Sequence, residues 1–204
     1  SGFHHSSAIL ENFSISFLFI VLVFISYLTL YTRCILSIFK FRKNKPMKIV
    51  VLKFGGTSVG SIEKIKNVAK IIKAYHKKRY KLIVVSSAMS GVTNDLVNKS
   101  KDISDNFSPS EYDVLVSSGE QVACSLIAAR LIHIGLKSRS WLSWQIPVMT
   151  EGQHKNSKIN HIYKNKILNY LKQDGIPIIT GFQGVNENER VTTIGRGGSD
   201  ASAI

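Results

Sequence analysis

The sequence predicts an α/β fold in which a mainly parallel sheet is covered by helices on both faces. Three observations carry this. Short runs rich in branched apolar residues, KIVVLKF (48–54), KLIVVSSAM (81–89) and GIPIITGF (175–182), have the length of strands and end in glycine or small polar residues. Amphipathic stretches of helical period alternate with them, as parallel strands joined by helical crossovers require. Finally, 204 residues with 44% hydrophobic and 20% charged side chains can bury a core without disulfides.

In chain order, KIVVLKF reads as a buried strand. Residues 61–78 follow as a helix with Ser61 at its N-cap and an apolar stripe of Ile62, Ile65, Val68, Ala69 and Ile72. KLIVVSSAM is the second strand, and a helix spans about 94–104, capped by Thr93 or Asn94. A further helix runs from Pro109 through YDVLVSSGEQVACSLIAARLIHIG, with a break expected near Ser117 to Gly119. KSRSWLSW (137–144) is a strand, 157–173 a helix, and GIPIITGF a strand running into a glycine-rich loop. The two cysteines, Cys34 and Cys124, lack metal-ligand spacing and read as reduced structural thiols.

The formal net charge of +14 raises nucleic-acid binding as a function. Its distribution argues against that. Residues 1–46 hold five Lys/Arg and one acid; the remainder holds 22 and 12, with the lysines of IEKIKNVAKIIKAYHKKRYK falling opposite the apolar stripe. Without interleaved aromatics this is a solvated basic face.

Residues 1–46 form a separate apolar extension. The segment from about 13 to 32 is uncharged and long enough to span a bilayer, and Arg33, Lys40, Arg42, Lys43 and Lys45 would keep its C-terminal side in the cytoplasm. The second reading, which is preferred, is upstream frame that is not translated, with the protein starting at Met47 and staying in the cytoplasm. Membrane contact is expected only if 1–46 is translated.

In parallel α/β sheets ligands bind at the carboxyl ends of the strands, so those segments carry the chemistry. Lys53-Phe54-Gly55-Gly56-Thr57-Ser58 ends the first strand. Glycines there let backbone amides approach phosphate oxygens ahead of a helix N-terminus. The stretch is neither a Walker A loop, since Gly60 is followed by Ser61, nor a G-x-G-x-x-G fingerprint. A plain turn remains the alternative. SSAMSGVTNDL supplies Ser86, Ser87, Ser90 and Thr93, as ligands or as an ordinary loop. Ser117-Ser118-Gly119-Glu120 places an acid where a helix dipole would also favour it. TGFQG (180–184) joins a strand to a loop, and TTIGRGGSD (192–200) sets Arg196 among three glycines, suited to two-pronged recognition of a carboxylate or phosphate or to an open surface loop.

Taken together and in order, KFGGTSVG, VVSSAMSGVTNDL, SSGEQVA, GFQGV and TTIGRGGSDASA resemble the amino-terminal part of the aspartate kinase family within the amino acid kinase superfamily, over about Met47 to Ile204. The resemblance implies a three-layer αβα sandwich, the amino acid kinase fold, truncated at its C-terminal side. It also implies transfer of the ATP γ-phosphoryl group to the β-carboxylate of L-aspartate, the first step toward lysine, threonine and methionine. Lys53 would neutralise the γ-phosphate, with Phe54, Gly55, Gly56 and Ser58 completing the phosphate cradle, and Asp200 would orient Lys53. For the substrate, Arg196 would hold a carboxylate and Glu120 the ammonium, with Thr93, Gly197, Gly198 and Ser199 adding hydrogen bonds. ATP and Mg2+ are the implied cofactors, with no residue assignable as a metal ligand. A homo-oligomer is implied for the full-length enzyme, and no nucleic-acid partner.

The sequence departs from the family pattern at Gln145-Ile146-Pro147, where many members have Gln-Ala-Gly. The family also continues past the point matching Ile204, into the half that holds adenine and ribose and then into regulatory ACT domains, so residues 47–204 alone are expected to have little activity. Alternatives are an amino acid kinase for acetylglutamate or glutamate, and a non-enzymatic membrane-tethered binding module.

Overall fold

The computed structural model describes residues 48–195 and 198–204. The predicted apolar span of residues 13–32 lies outside them, as do Arg196 and Gly197. The elements are β1 (Ile49–Phe54), α1 (Ile62–Lys77), β2 (Lys81–Ser86), α2 (Val92–Ile103), α3 (Pro109–His133), β3 (Ser138–Trp141), β4 (Val148–Glu151), β5 (Lys158–Ile162), α4 (Asn165–Lys172), β6 (Ile176–Thr180), β7 (Gln183–Val185), β8 (Val191–Thr193) and the short α5 (Gly198–Ala201).

The main sheet is parallel throughout, in the order β1-β2-β6-β3. Successive side chains of a strand point to opposite faces, and both faces here are covered. Leu82, Val84, Ile176 and Ile178 face α1 and α3, joining Ile65, Val68, Ile72, Cys124, Ile127 and Leu131 in one core. Ile83 and Ile179 point the other way and pack with Ile167 and Leu171 of α4 and with Trp141. Helices, sheet and helix thus form three layers, which is the predicted αβα sandwich.

Helix α1 begins where expected. Ser61 Oγ accepts from the Lys64 amide at 3.2 Å, supplying a first-turn donor with an acceptor. Ile65, Val68, Ala69 and Ile72 are buried, but Ile62 of the predicted stripe is exposed. Helix α3 is long and apolar enough to cross a membrane by length and composition alone. It is instead a core helix, since Val116, Ala123, Cys124, Ile127 and Leu131 are fully buried.

Several expected boundaries differ. Helix α3 runs unbroken through Ser117 to Gly119, because the small residues serve close packing: a Cβ on Gly119 would stand 2.8 Å from Ala88 Cβ and 3.2 Å from Val92 Cγ1. Helix α2 starts at Val92 behind Gly91, whose φ of 84° is a left-handed conformation, so neither Thr93 nor Asn94 is the cap. Strand β2 ends at Ser86 and β3 at Trp141, both shorter than predicted. The helix expected over 157–173 is split into strand β5 and the eight-residue α4. Strands β4, β7 and β8 were not anticipated. With β5 they form a second sheet of order β5-β4-β7-β8, antiparallel except for β4 against β7.

Candidate active site

Parallel pairing brings the strand ends level. Phe54 lies opposite Ser86, and Ser86 opposite Thr180, so the segments that follow β1, β2 and β6 leave the sheet at one edge. They border a groove of about 340 Å³ lined by Lys53, Gly56, Ser87, Ala88, Met89, Ser90, Gly91, Thr93, Glu120, Phe182 and Asp200. A larger cavity of about 640 Å³ lies over the second sheet, between Trp144, Met149, Val185 and Val191, away from these residues.

Lys53 projects from the end of β1 with about a third of its side chain exposed, and its Nζ lies 2.7 Å from Asp200 Oδ1 at the start of α5. The ammonium is therefore both available and aimed. Gly56 packs tightly beneath the loop after β2, where an added Cβ would reach Ala88 O at 3.0 Å. Ser58 donates its amide to Gly55 O at 2.9 Å, closing a tight turn. The Phe54 side chain belongs to the core, while its carbonyl accepts from the Ser87 amide at 3.0 Å.

Glu120 is in the middle of α3 rather than at a helix start, so dipole stabilisation does not explain it. It is 3% exposed; Oε1 accepts from the Ala88 amide at 3.0 Å, and buried Oε2 has no partner among the described residues. Burial raises its pKa to about 7 against an opposing pull from that amide bond. Below it, burial pushes the Cys124 thiol far up, and the Glu120 charge pushes the same way. A buried carboxylate with one oxygen unpaired is costly unless a cation reaches it.

The groove therefore brings together Lys53, Gly56, Thr93, Glu120 and Asp200 from the predicted set. Gly55 adjoins Lys53, and Ser58 is exposed outside the lining. Gly198 and Ser199 fall in α5, next to Asp200. The Ala88 amide and Phe182 were not singled out. A backbone donor leaves no trace in residue type, whereas Phe182 lies within the GFQG motif and lines the groove.

The fold and groove define an α/β small-molecule domain that, among the described residues, sets one cation and two carboxylates at the carboxyl edge of a parallel sheet. The chain belongs to the amino acid kinase family, whose sequence signature matches residues 48–204. It is 46% identical over 160 residues to the aspartokinase of Rickettsia felis, covering 77% of this chain and 40% of that protein. It is also 46% identical over 158 residues to the aspartokinase of Geobacillus stearothermophilus, covering 78% and 39%. Among solved structures, aspartate kinase from Synechocystis superposes with a TM-score of 0.64 at 36% identity, over 76% of this chain and 25% of that one. Escherichia coli aspartokinase III, crystallised with aspartate and ADP, shares the fold with a TM-score of 0.65 at 24% identity, over 75% and 45%. The chain thus spans about two-fifths of the length of the curated relatives it matches.

Proposed function

We propose that this chain carries the acceptor and γ-phosphate side of an aspartate kinase, which transfers the terminal phosphoryl group of ATP to the β-carboxylate of L-aspartate. The observation that carries this reading is the unpaired Oε2 of Glu120 in the same groove as the Lys53 ammonium. One is a waiting acceptor for a substrate ammonium, the other a cation for phosphate oxygens. The names of the relatives agree with it.

In this reading Glu120 fixes the amino group and Thr93 adds a hydroxyl hydrogen bond. Arg196 takes a carboxylate, helped by Gly197, Gly198 and Ser199. A β-carboxylate oxygen attacks the γ-phosphorus, the bond to the β–γ bridging oxygen breaks, and ADP leaves, giving 4-phospho-L-aspartate. The carboxylate is already ionised, so no base is needed, and catalysis is positioning plus charge neutralisation. Lys53 supplies that neutralisation and Asp200 holds its ammonium in place. The Gly55-Gly56 turn gives the phosphates room at the backbone.

Magnesium brings further neutralisation when bound with ATP. Among the described residues no cluster of three His, Cys, Asp or Glu is placed to hold an ion, so no step is assigned to a protein-held metal. The reading extends to a cytoplasmic, homo-oligomeric enzyme of lysine, threonine and methionine synthesis, with its kinase portion starting at residue 47.

A coupled ADP-release assay on the full-length polypeptide tests this. Turnover is expected with L-aspartate and not with acetylglutamate or glutamate. Turnover with acetylglutamate but not aspartate would refute the assignment, because an N-acylated substrate has no ammonium to pair with Glu120.

A further inference from the structure

Another carboxylate on α3, Asp113, is fully buried and takes no part in the groove, yet it ties down the 152–157 loop and the end of β8. Its Oδ2 is 2.6 Å from His154 Nδ1, and because an ionised carboxylate can only accept, the ring donates. Its Oδ1 accepts from Thr193 Oγ1 at 2.6 Å, and both oxygens lie 3.1 Å from the Lys155 amide. Lys155 has φ 68°, a left-handed conformation unusual for lysine, and that local geometry accompanies the aiming of its amide at the carboxylate.

These contacts join three elements distant in sequence at one point. Thr193 ends β8, and its carbonyl accepts from the Ser157 amide at 3.0 Å, so the 152–157 loop and the strand are fastened together. The next residue, Ile194, donates its amide to Phe182 O at 2.9 Å, and Phe182 is a wall of the groove. A few residues further on, Asp200 meets Lys53. The carboxylate therefore sits at the root of the segment that delivers Asp200.

We propose that Asp113 is a positioning residue for the phosphoryl-transfer groove: with His154, the Lys155 amide and Thr193 it anchors the stem of the glycine-rich segment and, through Ile194, the Phe182 wall. The proposal rests on the function proposed above. A purely structural role would require only that this point of the core be filled. The positioning role requires that loss of the hydrogen bonds, at unchanged side-chain volume, disturb substrate handling more than folding.

Three variants of the full-length enzyme separate these roles. Asp113→Asn keeps size and removes the charge; Thr193→Val keeps shape and removes the donor; Thr193→Ser restores the donor. Misplacement of the segment should lower kcat/KM for aspartate about 10- to 100-fold in Asp113→Asn and Thr193→Val, whereas Thr193→Ser stays within about threefold of wild type. Hydrogen exchange without substrate should accelerate about tenfold or more over residues 191–195 and 198–201 and stay unchanged in β1 and β2. Wild-type kcat/KM in folded Asp113→Asn and Thr193→Val, or exchange that is unchanged or faster throughout the chain, would overturn the proposal. If Asp113→Asn fails to fold, the Thr193 pair decides. If the wild type does not phosphorylate aspartate, it is the functional reading that fails, and the exchange pattern alone decides the anchoring role.

Discussion

The buried carboxylate of Glu120 links pH to both activity and stability, with opposite signs. Its pKa is about 7 in the folded protein against an ordinary 4.5. Between those values the native state holds a proton that the unfolded chain releases, so stability falls as pH rises through this window and stays low above about 7. A shift of 4.5 to about 7 corresponds to roughly 3 kcal/mol of penalty at pH 8. Binding of an ammonium needs the ionised form, so kcat/KM for aspartate should rise with pH. About one-tenth of Glu120 is ionised at pH 6 and about nine-tenths at pH 8, which predicts a gain of roughly tenfold between them. Replacing Glu120 with Gln removes the buried charge. The variant should be about 1–3 kcal/mol more stable than wild type at pH 8, little different at pH 5, and defective for aspartate without this pH dependence. Denaturant melts at the two pH values and initial rates from pH 5.5 to 8.5 measure both arms. The other charged groups of the groove among the described residues, Lys53 and Asp200, are unchanged in the variant, so it isolates Glu120. A flat wild-type kcat/KM between pH 6 and 8, or a tenfold rise that persists in Glu120→Gln, would refute this account.

Two further perturbations test other parts of the site. Lys53→Ala should lower kcat by about 10²- to 10³-fold while aspartate KM changes little if, as proposed, the lysine serves the phosphate rather than the acceptor; steady-state kinetics in both substrates would show it. Gly119→Ala forces a Cβ to within 2.8 Å of Ala88 Cβ and should cost about 1–3 kcal/mol, seen as a lower midpoint in denaturant.

The central strands β2 and β6 were legible because they are buried on both sides and read as apolar runs, and α1 because Ser61 caps a clear stripe. The second sheet was not. Its strands are three to five residues long, and β5 is mostly exposed, so KINHI carries no alternation to detect. Glu120 was singled out by its motif but misplaced in its helix. Ser-Ser-Gly suggested a helix break, whereas Gly119 permits contact between two buried segments. Nothing in the sequence marks Asp113, because its partners His154 and Thr193 lie 41 and 80 residues further along the chain. Pairings at such separations are made by topology and leave no local signature.

The pairing of Lys53 with Val85 and of Phe54 with Ser86 has a bearing on how this sequence can change. Adding or removing a single residue inside β1 would turn Lys53 to the opposite face of the sheet, toward apolar packing. Phe54 would turn with it, out of the core. Strand β1 can therefore vary by substitution but not in length, whereas the exposed turn at Asn186–Arg190 carries no such restriction. Length differences among related chains should fall in turns of that kind and be missing between Ile49 and Phe54.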